Sequence, residues 1–451
     1  MTSQPPSSPF KVIIIGAGSP PPFKPPSQPH PHPHSHPPSS PPLHSPPTFS
    51  PLTIPGTTGL ALARGLTRLH IPFALYERSP PTARPRDWGM LLHWGTPHLL
   101  SVLPASVHPR LSETWVDPHY DWSEPVVRMD GATGEITGRT PGQNLVRVSR
   151  RKMVAFLEEG VRVEYWRVVQ GVEVLGREEG GGVRVRFEED GGEVVGSMVV
   201  GADGSHSKVR EVLVGAEAAR CVDTGFTMIN YCHARYTAEQ AKVLRSVHPI
   251  LTTGWWGEGR IAYLLAALDI PSLDKPEDWQ FQNYMGWHGS PHKQDFRSSQ
   301  DVVEFFREKA SHFCDPFRTA AQGIKDDTIL PVDVGHQWSP SQWDNRGGKI
   351  TLAGDAAHSM LPHRGQGLNN AMQDAAELVT AISKVMYENV PLETAIAAYE
   401  ASMIPRGAKE VELSLQTANI SMGENRRRDF KWKYSLAQDV EMNETEGHIE
   451  K

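Results

Sequence analysis

The chain has 451 residues, 38% of them hydrophobic and 22% charged, and a formal charge of −7 from 45 Lys and Arg against 52 Asp and Glu. Length and apolar content allow two or three globular domains, and the mild acidity argues against a nucleic-acid backbone binder, which needs clustered positive charge. No run approaches the roughly 18 apolar residues of a membrane span, the first apolar run is too short for a signal peptide, and three cysteines without C-x-x-C spacing exclude a disulfide framework and a zinc site, so a cytoplasmic enzyme-sized protein is expected.

Val12–Ile15 is a short β-branched run that enters Gly16-Ala17-Gly18. Ser19 to Gly56 then carries 16 of the 39 prolines, five histidines and Lys24 as its only charge. Nothing in this tract supports a packed core, and its composition reads as disorder. Thr57-Thr58-Gly59-Leu60 opens an apolar helix. With residues 19–56 removed the two halves join as strand, G-x-G-x-x-G turn and helix. Gly16 provides the tight turn, Gly18 lets a pyrophosphate approach the backbone, and Gly59 packs helix on strand. A second strand, Phe73–Tyr76, ends in Glu77, 23 positions after Gly16 once the tract is subtracted. An acid near that distance holds the ribose of an adenine dinucleotide. Because excision completes the motif, the tract reads as translated intron, a reading that a cDNA running straight through it would sink.

Beyond Glu77, residues 88–95 form a Gly- and Trp-containing segment, and 96–140 is irregular and Pro-rich. Residues 144–149 are extended, and Arg150 to Glu159 is a helix with Met153, Phe156 and Leu157 on one face. Residues 161–200 are Val-rich strands with a turn at 189–192, closing on Met198–Val200 and then Gly201-Ala202-Asp203-Gly204. Strands are expected at 226–236, 251–268 and 279–287, and helices at 238–245 and 301–313. Trp255, Trp256, Trp279 and Trp287 in this block either line an apolar ligand site or pack the core. Lys349–Ala353 is a strand leading to Gly354-Asp355-Ala356-Ala357-His358, and Gly365-Gln366-Gly367-Leu368 enters a helix to Val385. A second helix spans 392–414, and a polar tail follows.

The strings GAG…TTG, GADGSHSKVR and LAGDAAHSMLPHRGQGLNNAMQDAAEL, in that order, resemble the class A FAD-dependent monooxygenases of the para-hydroxybenzoate hydroxylase type, and their fungal natural-product (secondary-metabolism) branch in particular. The resemblance implies an α/β fold with α+β elements, in which a Rossmann-like three-layer ββα FAD domain is interleaved with a mixed-sheet substrate domain. The FAD domain is expected to be built from three segments, 10–95 (interrupted by 19–56), 145–218 and 346–415. Between them lie 96–144 (connecting, substrate side) and 219–345 (substrate sheet), and 416–451 is the tail. The resemblance implies that Gly16, Gly18 and Gly59 hold the FAD pyrophosphate and Glu77 its ribose. Gly89 lies near the cofactor, Arg150 contacts the pyrophosphate or ribityl chain, Asp203 and Gly204 serve FAD and NAD(P)H, and Asp355 binds a ribityl hydroxyl. Gly365, Gly367 and Leu368 turn backbone N–H groups to the flavin pyrimidine edge, where a helix start also favours the negative charge of reduced flavin.

The implied reaction uses NAD(P)H and O2 to hydroxylate or epoxidise an aromatic or isoprenoid (terpenoid) small molecule through a flavin C4a-hydroperoxide, without metal, nucleic acid or membrane span. Arg210 and Tyr231 are the catalytic candidates, as a cation and a hydroxyl favouring a phenolate; structural ion pairing and core packing are their alternatives. The competing reading is an inactive flavoprotein-like chain whose FAD site the tract breaks. A halogenase lacks its W-x-W-x-I-P string here, and a geranylgeranyl-reductase-like flavoprotein suits the third string less well. His70 stands where a glycine often closes the first helix.

Overall fold

A computed structural model describes residues 10–16, 56–80, 87–122, 124–140, 145–188 and 192–422. Gly18, nearly all of the proline tract, most of the 189–192 turn and the tail beyond 422 lie outside the described residues.

In chain order the first elements are β1 (Val12–Ile15), α1 (Thr57–Arg68), β2 (Phe73–Tyr76), β3 (Gly89–Leu92) and α2 (Thr96–Val102), then β4 (Val126–Asp130), β5 (Ile136–Thr140), β6 (Val146–Ser149) and α3 (Arg150–Glu158). Next come β7 (Val163–Glu164), β8 (Val169–Val174), β9 (Val183–Phe187), β10 (Glu193–Gly196), β11 (Met198–Gly201) and α4 (Lys208–Val214). The middle holds β12 (Val222–Ala234), α5 (Ala238–Leu244), β13 (Leu251–Trp256), β14 (Ile261–Asp269), β15 (Gln280–His288), α6 (Ser299–Ala310), α7 (Phe317–Gln322) and β16 (Val332–Gln337). The chain closes with β17 (Ile350–Leu352), α8 (Asp355–His358), α9 (Gly367–Tyr387) and α10 (Leu392–Met422).

A five-stranded parallel sheet, ordered β17-β11-β1-β2-β7, forms the centre of the nucleotide-binding half. Val12, Ile13 and Ile14 of β1 are fully buried, as expected for a strand covered on both faces, where a continuous apolar run replaces alternation. Helices α1 and α9 cover one face, and Gly65 of α1 lets the helices touch, since a Cβ there would lie 2.4 Å from Val379. The antiparallel sheet β10-β9-β8 covers the other through Val183, Val185 and Phe187, with Phe187 tilted against Tyr76 at 4.8 Å. Three layers result, as the resemblance implies.

The second half is a seven-stranded mixed sheet, β16-β12-β15-β14-β13-β4-β5. Its strands β4 and β5 come from residues expected to be irregular: Val127 and Met129 alternate inward against β13 in a parallel pairing that no local signal announces. Strand β16 and helix α7 are likewise unanticipated, and the expected strand 251–268 is broken by a turn at residues 257–260. Tyr263 packs edge to face on Phe306 and Phe313 and tilted against Phe317, between this sheet and α6 and α7. Trp279 and Trp287 belong to the same core, Trp255 to a smaller cluster, and Trp256 stacks on His312 at 4.0 Å, so these tryptophans serve packing. Among the described residues no helix is long and apolar enough to cross a membrane, and no group of three or more His, Cys, Asp or Glu residues could hold a metal.

Helix α1 closes in a Schellman motif: Ile71 N donates to Leu66 O at 3.0 Å and His70 N to Thr67 O at 3.0 Å. The motif puts His70 at φ +54°, a conformation that strains residues with a Cβ. His70→Gly is expected to stabilise the protein by about 0.5–1 kcal/mol, read as a higher midpoint in urea at an unchanged slope.

Candidate active site

The parallel register gathers chemistry that the sequence scatters. Ile15 pairs with Tyr76 and Gly201, and Gly201 with Leu352. The residues that follow therefore share one rim at the carboxyl ends of the strands: Gly16, Glu77, Asp203, Gly354 and Asp355. Ligands of open α/β sheets bind at such a rim.

Close packing at the rim demands glycine. At Gly16, with φ +101°, a Cβ would sit 2.3 Å from Asp203 Cα, and at Gly59 it would sit 2.3 Å from Gly16 O. Residues 16 and 59, on opposite sides of the proline tract, thus meet as one strand–helix unit. Glu77 is fully buried, with Oε1 accepting from Ser79 N at 2.8 Å. Asp203 turns toward α4, accepting from Ser207 Oγ at 2.5 Å, Lys208 N at 2.6 Å and Val209 N at 3.3 Å. Its carboxyl is pushed up by burial, which these hydrogen bonds and Arg78 only partly offset. Gly204 follows at φ +78°.

Asp355 differs from its surroundings. Gly354 and Ala356–His358 are buried, whereas Asp355 is exposed. It nevertheless lies deep among protein atoms: desolvation raises its pKa, opposed by His358, Arg150 and Arg210. A carboxylate both crowded and solvent-accessible lines a cleft. Arg150 opens α3 behind the Ser149 cap, whose hydroxyl accepts from Lys152 N at 3.2 Å. Its guanidinium lies 4.6 Å from the centre of the Trp88 ring. Asp87 braces this start, accepting from Ser149 Oγ at 2.8 Å and Arg151 N at 3.0 Å.

Helix α9 begins at Gly367, where a Cβ would meet nothing within 4 Å, after Gly365 at φ +65°. Leu368 is buried in its first turn. A helix start with open space before it is suited to a partly negative ring edge. Sequence reasoning missed what holds this start in place. Asn369 Oδ1 accepts from His93 N at 2.9 Å and Gly95 N at 3.0 Å, while Nδ2 donates to Leu91 O at 3.0 Å and Gly365 O at 3.1 Å. Asp374, further along the helix, accepts from Gly354 N and His358 Nε2, each at 2.7 Å, and from Arg406 at 2.8 Å. The available signal was polar residues (369, 370 and 374) on the buried face of an apolar helix. Asn369→Ala strands four backbone groups and is expected to cost about 2–4 kcal/mol, checked by urea denaturation.

Two expected residues lie away from the rim's open side. Arg210 is 1% exposed and pins α4 to α8: Nε donates to Ala219 O at 3.0 Å, Nη1 to Ala356 O at 2.9 Å, and the guanidinium covers Trp338. Its donors are engaged largely by backbone carbonyls, so it braces the Asp355 turn. Tyr231 packs against the core on the α6 and α7 side of the seven-stranded sheet. Neighbouring Asn230 faces the other way, where its Oδ1 accepts from Gln282 Nε2 at 2.8 Å. Period-two alternation separates the two.

That other sheet face turns to the nucleotide-binding half. Gln282 Oε1 accepts from Gly89 N at 2.9 Å, and Tyr284 Oη lies 3.2 Å from His363 Nε2. Gly286 leaves room for the Tyr284 phenol, since a Cβ there would lie 2.7 Å from Oη. Burial lowers the pKa of His363 to about 4, so it is neutral at physiological pH.

Comparisons with known proteins agree with this geometry. Residues 307–414 match the family model described as an FAD binding domain. The chain is 32% identical over 374 residues to the FAD-dependent monooxygenase phnB of Penicillium herquei, covering 81% of this chain and 89% of that protein. It is 32% identical over 339 residues to the FAD-dependent monooxygenase dbaB of Emericella nidulans, covering 72% and 84%. The fold is shared with 2,6-dihydroxypyridine-3-hydroxylase from Arthrobacter nicotinovorans at a TM-score of 0.70, 18% identity and 96% and 97% coverage. Klebsiella pneumoniae HpxO complexed with FAD and uric acid gives 0.68, 18%, and 92% and 90%.

Proposed function

The chain belongs to the class A FAD-dependent monooxygenases, in their fungal natural-product branch, and from that premise we propose that it uses NAD(P)H and O2 to hydroxylate a phenolic aromatic molecule. The observation that carries the substrate reading is the polar row Gln282, Asn230 and Tyr284 on the sheet face that meets Gly89 and His363. The protein satisfies most of this row internally, and the Asn230 amide N–H that it leaves over is a donor suited to a phenolic oxygen and not to an isoprenoid chain.

The described residues fit FAD. Gly16 and Gly59 permit the close approach, Asp355 offers an accessible carboxylate for a ribityl hydroxyl, Arg150 offers a cation for the phosphates, and Gly367 opens a helix start for the pyrimidine edge. Gly18 lies outside the described residues and belongs to the same proposal, as do the ribose role of Glu77 and the backbone role of Leu368. Bound FAD supplies the redox chemistry, transferring electrons from NAD(P)H to dioxygen. The chain holds and shields the reactants. Phe226, Leu361, Ala418 and Met422 close one end of the sheet face with apolar packing, which excludes water from the reacting centre. Beside the Asp203–Gly204 loop, a cavity of about 250 Å³ lined by His206, Ser207, Arg210, Glu211, Arg220 and His336 is the place assigned to the phosphates of NAD(P)H, with Arg220 as their cation.

The deciding experiment compares the full chain with a version lacking residues 19–56. Flavin absorbance of both purified proteins is recorded first, followed by NAD(P)H oxidation and O2 uptake with phenols and with their methyl ethers. The reading expects flavin in the preparation and phenol-dependent turnover that the ethers do not support. Flavin in the deletion version alone assigns the activity to the spliced product. No flavin in either would overturn the proposal.

A further inference from the structure

Arg147 on β6 has no role in the arrangement described so far. It is 2% exposed, at the seam between the β3–β6 ribbon and the seven-stranded sheet. Its Nε donates to Ala267 O at 3.3 Å and its Nη2 to Gln282 Oε1 at 2.5 Å. Among the described residues no carboxylate lies within ion-pairing distance of it. Asp87 adds a favourable field, but its oxygens are taken by Ser149 and by the backbone and guanidinium of Arg151. Burial lowers the Arg147 pKa to about 10, with Cys232 and Asp87 opposing, so the group stays protonated at neutral pH.

A buried cation without a counter-charge is costly to maintain, and its place is informative. The guanidinium lies directly behind Gly89, where a Cβ would fall 2.3 Å from Nε and Nη2. Gln282 Oε1 joins Arg147 to Gly89 N, and Gln282 Nε2 donates to Asn230 Oδ1. Cys232 Sγ also donates to Asn230 Oδ1, at 3.2 Å. This orients the amide of the half-buried Asn230 and leaves its Nδ2 without a protein acceptor among the described residues. Tyr284 stands opposite Asn230 across the strands. One uncompensated positive charge therefore backs a row of hydrogen-bonding groups on the cofactor side of the sheet.

We propose that Arg147, acting through Gln282 and Asn230, makes this row a subsite for an ionised ring oxygen, so that the substrate is held as a phenolate. The proposal rests on the phenol monooxygenase reading above. On ionisation the substrate O–H bond breaks, the proton passes to solvent, and the electron pair stays on the oxygen. The ring carbons ortho and para to it then become electron-rich, which is what oxygen insertion requires. Arg147 is a positioning residue here, because it acts through the two amides.

The test uses the flavin-loaded full chain and 4-nitrophenol, whose phenolate absorbs in the visible, with 4-nitroanisole as a neutral control. Difference spectra from pH 5 to 9 give the apparent pKa of the bound phenol in wild type, Arg147→Met, Arg147→Lys and Gln282→Glu. Wild type is expected to lower that pKa by at least one unit, equivalent to tenfold tighter binding of the anion than of the acid. Arg147→Lys retains the shift and Arg147→Met abolishes it. Gln282→Glu keeps the side-chain shape and the acceptor for Gly89 N while supplying the missing counter-charge, so it abolishes the shift without depending on the fold of Arg147→Met. Nitroanisole, which cannot ionise, is expected to bind without pH dependence from pH 5 to 9 in all four. The proposal is overturned by an unchanged bound pKa in Gln282→Glu, by no binding of 4-nitrophenol to flavin-loaded wild type, or by variants that move only the flavin midpoint potential. The last result would assign the charge to the cofactor. Loss of flavin from wild type itself overturns the underlying reading along with it.

Discussion

Asp374→Ala is expected to destabilise the protein by about 3–5 kcal/mol, the cost of removing one partner from a buried charge network. Asp374 and His358 are fully buried, and Arg406 completes the set. Alanine leaves His358 Nε2, the Gly354 N–H and the Arg406 guanidinium facing a void. Burial pushes the Asp374 carboxyl up, but the charges and hydrogen bonds of His358 and Arg406 outweigh it and hold the pKa below the usual carboxylate range. For a carboxyl depressed in the folded state, the stabilisation is complete above the unfolded pKa of about 3.9 and is lost as pH falls through the folded value. As the Asp374 carboxyl takes up its proton, the stability gap between wild type and Asp374→Asn is expected to narrow below about pH 4. Urea denaturation across that range checks it. A gap that widens toward acid would contradict the assignment.

Asp355→Asn is expected to act in two opposite directions. The ionised carboxylate accepts a hydroxyl hydrogen more strongly than an amide oxygen does. Hydrogen bonds to charged groups contribute about 1.5–3 kcal/mol, so FAD binding is expected to weaken by roughly 10- to 150-fold. Without cofactor the sign reverses. Desolvation raises the Asp355 pKa, with His358, Arg150 and Arg210 opposing, so the folded state is penalised at pH values above that pKa. The flavin-free Asp355→Asn protein is expected to melt higher than flavin-free wild type at neutral pH. Thermal melts of stripped protein, beside fluorescence titration with FAD, separate the two effects. A variant that melts lower and binds FAD normally would remove Asp355 from the site. A cofactor site whose residues cost stability until the ligand arrives follows the usual trade between function and stability.

The candidate site is legible in the sequence where a chemical demand leaves a local trace. Gly16, Gly59, Gly354 and Gly365 are glycines because a Cβ or an ordinary φ does not fit, and such demands appear as motifs. Asn369 and Asp374 leave only a weak trace, two polar side chains on a buried helix face, because their partners at positions 91, 93, 354, 358 and 406 come from distant segments. The motif around Arg210 reports where the residue is and not where its side chain ends, which is against the Ala219 and Ala356 carbonyls. Tyr231 stands one position from Asn230 in the strand, which is enough to put it on the opposite face from the one that meets Gly89.

Local chain chemistry specifies the nucleotide-binding half: a β-branched run, a glycine turn resumed after 38 residues, an acid 23 positions on and a strand ending in Gly354-Asp355. Each is a consequence of strand, turn and helix geometry within a few residues. The half built on the seven-stranded sheet takes shape only when the chain is assembled. There β4 and β5 join a sheet built mainly from residues a hundred positions later, β12 sets Asn230 and Tyr231 on opposite faces, and Arg147 comes to rest against Gln282. Strand pairing between distant segments is fixed by burial summed over the whole sheet, so no window of the chain holds the information.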